Sequence, residues 1–166
     1  MMYVKSWFEY VDAFPSSIAF RESSYVYPAT LTAHIVGMSL MAGLVIMMDL
    51  RLLGAGNMRT PLSEVQKRLF PWQIVGMALS FSTGLLLFYG QPMRFYPNIF
   101  FWIKVVMMAL AGLNALIFHE ISYRTVAEWD TAPITPAGAR LAGALSLALW
   151  GAVIVAGRLI AYNWFT

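Results

Sequence analysis

Two histidines, two buried-looking cations and a set of methionines stand inside otherwise apolar stretches of this 166-residue chain. His34 and His119 are its only imidazoles, and imidazole is a common ligand for haem iron and for copper. Lys104 and Arg158 lie among apolar residues, where a charge is costly and marks a functional site unless it reaches the headgroups. Counted from the ends of the apolar runs, His34 lies six residues beyond Pro28, Lys104 six beyond Asn98, and Arg158 six before Trp164. At ~1.5 Å of rise per residue, all three sit roughly 9 Å below one boundary. No Asp or Glu within the runs shares that level. The two cations therefore need an anion from elsewhere: Glu9, Asp12 or Glu22 folding back, a lipid phosphate, or the carboxylates of a ligand. A haem b meets this demand, with iron on His34 and propionates on Lys104 and Arg158, since guanidinium pairs bidentately with carboxylate. Met38, one turn after His34, and Met108, one turn after Lys104, are the thioethers placed to join the site. A quinone could use the same groups, and snorkelling explains Lys104 with no ligand at all.

A second polar layer falls at the other end of the runs: Asp49, Arg51, Gln73, His119, Glu120 and Arg140. Its mixed signs predict mutual neutralisation, with His119 pairing to Asp49 or Glu120; His119 is also, with His34, a candidate metal ligand. The two histidines belong to runs of the same direction and are separated by roughly 20 Å along the membrane normal. One chain therefore cannot place both on one iron. A His–Met pair, a five-coordinate haem, or a site shared between two copies remains.

Other chemistries find no residues to carry them. With no cysteine there is no disulfide, thiolate metal site or iron–sulfur cluster. There is no phosphate-cradling glycine loop, zinc-protease His-Glu pair or nucleophile elbow, so no catalytic residue is assigned. A net charge of +3, spread along the chain, does not suit a nucleic-acid partner.

The elements that must position these groups are transmembrane helices. Hydrophobic residues make up 60% of the chain and charged ones 11%, with mean hydropathy +0.66, which excludes an ordinary soluble domain. Four runs, at about 29–53, 69–90, 98–121 and 139–163, are long enough to cross a bilayer of ~30 Å. Pro28 precedes the first, Gly54 and Gly56 follow it, and Pro71 falls in the opening turn of the second. Residues 1–27 mix aromatics with charges and predict an amphipathic helix in the interface, broken near Pro15. The stripes Gly76, Ser80, Gly84 and Gly143, Leu147, Gly151 predict close helix packing. The fold class is all-α: an integral membrane four-helix bundle behind an N-terminal interfacial helix. Arg51, Arg59, Lys67, Arg68, Arg124 and Arg140 flank two loops on one side, against Lys5, Arg21 and Arg94 on the other. The positive-inside rule then places both termini in the periplasm of a bacterial inner membrane.

Tyr27-Pro28 with His34 and Gly37, the ending Asp49-Leu50-Arg51-Leu52-Leu53-Gly54, Pro71-Trp72, Asn98 to Lys104, Asn114 to His119, and Ser146 to Tyr162 around Arg158 resemble a small bacterial integral-membrane family without an assigned function. The likeness covers nearly all of the chain after Tyr25 and implies the topology. More loosely, a histidine early in the first span and a lysine opening a later one resemble copper-resistance D type membrane proteins. The four-span plan resembles small membrane b-type cytochromes, which implies His34 as an axial ligand, although the usual paired histidines are missing. The leading expectation is an oligomeric haem-binding electron-transfer protein working with quinone or another membrane donor. The alternatives are copper or small-solute transport, and an accessory subunit of a larger membrane complex.

Overall fold

A computed structural model describes residues 2–55, 60–132 and 134–162. Gly56 and Arg59, expected in the first basic loop, and Asn163 and Trp164, at the end of the fourth run, lie outside the described residues. The elements are α1 (Met2–Asp12), α2 (Pro15–Glu22), α3 (Val26–Leu52), α4 (Leu62–Gly90), α5 (Pro92–Phe95), α6 (Ile99–Ile117), a π-helical turn (Phe118–Ser122), a 3-10 turn (Tyr123–Thr125), α7 (Val126–Trp129) and α8 (Ala137–Leu159). No strand occurs among the described residues. Four helical segments are long and apolar enough to span a membrane: Val26–Leu52, Leu62–Gly90, Ile99–Trp129 and Ala137–Leu159. The protein is a multi-pass, all-α membrane bundle.

The long helices follow the order α4, α3, α8, α6: α3 packs along both α4 and α8, and α6 along α8. α4 and α6 do not pack along their lengths, so a seam runs between them. It is closed at one end by the stacked rings of Phe88 and Phe101, 5.3 Å apart. We term this the aromatic end. The opposite, basic end holds a core of Met48, Leu52, Leu62 and Ala139, with Val65, Phe118, Val126 and Trp129 packed on it.

Glycine lets α3 and α4 touch backbone to backbone. A Cβ on Gly37 would lie 2.8 Å from the Ser80 nitrogen, and one on Gly76 would lie 2.8 Å from the Met41 nitrogen. Such close approach lets dispersion contacts replace the hydrophobic drive that lipid does not supply. α6 is tied to α8 by two asparagines instead: Asn98 Nδ2 donates to the Ile160 carbonyl and Asn114 Nδ2 to the Ala142 carbonyl. Asn98 also caps α6 by accepting from the Phe100 N–H. α3 stops at Gly54, whose φ of +84° only glycine adopts without cost.

α4 starts at Leu62, several residues before the expected boundary, and Pro71 sits well inside it rather than in its opening turn. The cause is a distant cap. Asp130 accepts from the Ser63 N–H (2.9 Å) and the Ser63 hydroxyl (2.5 Å), satisfying donors at the helix start, while Leu62 is buried. These contacts outweigh the single bond that Pro71 removes.

The N-terminal segment is two helices meeting near Pro15, as the sequence predicts, and they dock on the aromatic end. Ser17 is fully buried and donates to the Tyr89 and Gly90 carbonyls at the end of α4. Phe8 packs between Phe88 and Tyr96. Trp7 and Tyr10 remain exposed, suited to a headgroup layer.

Candidate functional site

His34 projects from α3 onto α4. Its Nδ1 lies 2.9 Å from the Ser80 carbonyl oxygen and 3.2 Å from the Thr83 hydroxyl. The Thr83 hydroxyl gives its own proton to the Leu79 carbonyl, 2.6 Å away. A carbonyl can only accept, so Nδ1 is the protonated nitrogen and Nε2 keeps the lone pair. No hydrogen bond reaches Nε2 among the described residues. Gly84 makes room for the ring: a Cβ there would meet His34 Cε1 at 3.1 Å. Gly84 and Ser80 thus seat the imidazole as well as packing the helices. Sequence reasoning assigned them packing alone, because a backbone carbonyl leaves no residue-type signature.

Lys104 of α6 is close enough for its charge to act on the His34 ring. Its amine lies along Gly157 of α8, 3.8 Å from where a Cβ would stand. The two asparagine ties set the register of α6 on α8, and by that register Gly157 is about one turn nearer the aromatic end than Lys104. The lysine stem therefore reaches toward that end, the direction in which side chains of α6 lean. It has no carboxylate partner among the described residues. Asp12 is engaged by Arg21 at 3.0 Å and Glu9 by Lys5 at 3.6 Å, so neither folds back to it.

Arg158 is not brought to this pair. It is exposed, donates to the Tyr162 hydroxyl at 3.0 Å and lies 5.3 Å from the centre of that ring. Met38 is half-buried one turn beyond His34, and Met108 is exposed on α6. Met41 and Met48, from the same α3 stripe, are buried in packing.

The second layer is divided rather than mutually neutralised. Asp49 is buried between α3 and α8, where Ser146 bonds it and Oδ2 has no hydrogen-bond partner among the described residues. Arg51, also buried, donates to the Thr60 carbonyl at 3.1 Å. Glu120 pairs with Arg124 one turn on, and Arg140 is exposed. His119 pairs with neither Asp49 nor Glu120. It lies exposed in the π-helical turn, where its ring stacks on Tyr123 at 5.2 Å and 18°. No cluster of three or more His, Cys, Asp or Glu able to hold a metal occurs among the described residues.

A family model described as a family of unknown function, DUF6644, matches residues 8–163. The chain belongs to this family. Within this DUF6644 protein the match takes in α3 to α8 with His34, Lys104 and Arg158, and begins inside α1. No similarity was found to a curated protein or to a solved structure.

Proposed function

We propose that this DUF6644 protein is a membrane-embedded, haem-binding electron-transfer protein of the b-type cytochrome kind, with His34 as axial ligand. The observation that carries the reading is the His34 tautomer. Nδ1–H fixed on a backbone carbonyl, with the Nε2 lone pair left over, is the arrangement that orients a metal-ligating imidazole. The neighbouring residues fit the group: Lys104 is a cation within electrostatic reach of the ring, with no carboxylate partner among the described residues, which suits a propionate. Met38 stands on the same helix and the same side as His34 and would not share the iron with it. Met108 or a second copy of His34 would supply the further ligand where one is used. When bound, haem supplies one-electron carriage. The chain itself holds the ligand nitrogen in orientation, anchors an anionic edge through Lys104, and keeps water away with its apolar helices.

The setting proposed for this activity is a bacterial inner membrane, with the basic end cytoplasmic and both termini periplasmic. The protein acts there as a homo-oligomer or as a subunit of a membrane complex, and quinone is the membrane donor. Copper or small-solute transport is the weaker reading, because the Lys104 charge beside His34 repels a cation. Purification from haem-supplied cells tests the proposal. Pyridine extraction should count about one haem per chain, or one per two, as a bound b-type cofactor requires. His34→Ala should lose it, Lys104→Ala should retain less, and Gln73→Ala should match the parent. A colourless parent protein sets the reading aside.

A further inference from the structure

At the basic end a cavity of about 630 Å³, within the range of ligand sites, lies between the start of α4 and the turns that follow α6. Its walls are the first turns of α4, with Ser63, Glu64, Lys67, Phe70 and Pro71, and the outward-turned His119 and Tyr123. Charge is distributed unevenly around it. Arg68 pairs with Glu64, and Arg124 with Glu120. Lys67 lines the cavity and has no carboxylate partner among the described residues. Next to it stand an imidazole and a phenol, both able to donate to an oxyanion. Depth is graded as well. Ser63 to Lys67 precede the apolar run that opens at Leu69, whereas Phe70 and Pro71 belong to it. One cavity therefore joins a headgroup-level cation to an apolar floor.

We infer that this cavity binds a phospholipid. Its phosphate rests on Lys67, His119 and Tyr123, and an acyl chain runs over Phe70 into the gap between α4 and α6. A free phosphate would use the same cation and donors but would leave the apolar floor and the seam unfilled. An anionic headgroup adds attraction to the basic end, where each Lys or Arg near the surface strengthens binding about fivefold. The π-helical turn, a feature frequent at functional sites, carries His119 at the cavity wall. This inference is independent of the His34 reading.

Native mass spectrometry of the full-length protein, released from nanodiscs of phosphatidylglycerol or of phosphatidylcholine, tests it. The expected result is one phosphatidylglycerol held per chain, retained more strongly than phosphatidylcholine. Lys67→Gln should reduce retention by about fivefold and His119→Ala should also reduce it, while Lys5→Ala, at the far end, should not. Both substituted positions are exposed, and unchanged far-UV dichroism checks that the variants fold. Equal retention in parent and cavity variants overturns the inference. So does inorganic phosphate binding as tightly as the lipid.

Discussion

The imidazole of His34 is fixed to α4 by the Ser80 carbonyl, 2.9 Å from its Nδ1. One bond thereby sets the tautomer, the ring plane and the nitrogen left for a ligand. Because the acceptor is main chain, no change of the Ser80 side chain removes it. The seat depends on how closely α3 and α4 approach and on the absence of a side chain at position 84.

Gly84→Leu should therefore displace the ring without breaking the bundle. A Cβ alone would meet His34 Cε1 at 3.1 Å, and a branched side chain leaves no such space. The expected outcome is loss or red–blue shift of any haem spectrum, with helix content kept. A spectrum identical to the parent's would place the ligand elsewhere.

Gly76→Val should act on the whole α3–α4 contact. Here the obstacle is backbone, the Met41 nitrogen at 2.8 Å and the Gly37 carbonyl at 2.9 Å, so the helices must separate. Overpacking of this kind costs about 1–3 kcal/mol. A lowered midpoint of thermal unfolding in detergent, larger than that for Gly43→Ala at an open position, is the expected reading.

Asp130 gives a pH dependence with a defined sign. Burial alone would raise its carboxyl. The Ser63 hydroxyl, the Ser63 and Leu62 N–H groups and the nearby Arg51 outweigh that and hold it below the ordinary carboxylate range. A depressed folded-state value means that its stabilisation is fully present at neutral pH. It is lost as pH falls below about 3.8 and through the folded value. Asp130→Ala should remove about 1 kcal/mol, the usual worth of a helix cap, at pH 7 and less than that at pH 3, which lies below the ordinary carboxylate value. Thermal unfolding of parent and variant at the two values measures this.

Much of the fold was legible because a bilayer imposes a simple code. Runs of about 20 apolar residues mark the spans, and Pro15 marks the break between α1 and α2. The start of α4 was hidden because its cap, Asp130, is 67 residues from Ser63 in sequence, and local patterns do not carry long-range bonds. Neither depth nor azimuth could be counted from run ends alone. The asparagine ties place Arg158 more than one turn nearer the aromatic end than Lys104, and while the Lys104 amine lies against Gly157, Arg158, turned about 100° further round α8, is exposed and bonds Tyr162. His119 stacks on Tyr123 instead of meeting the carboxylates, and the π-helical turn that carries it leaves no signature in local sequence patterns.

The proposed haem would be held on His34 Nε2. The reduced-minus-oxidised visible spectrum of the detergent-purified protein tests it most directly, for the parent and for His34→Gly with and without added imidazole. A haem on His34 gives a sharp b-type band in the parent, its loss in the glycine variant, and its return when free imidazole fills the space. A parent without such a band after growth with ample haem, or a glycine variant that keeps it unaided, rules that site out.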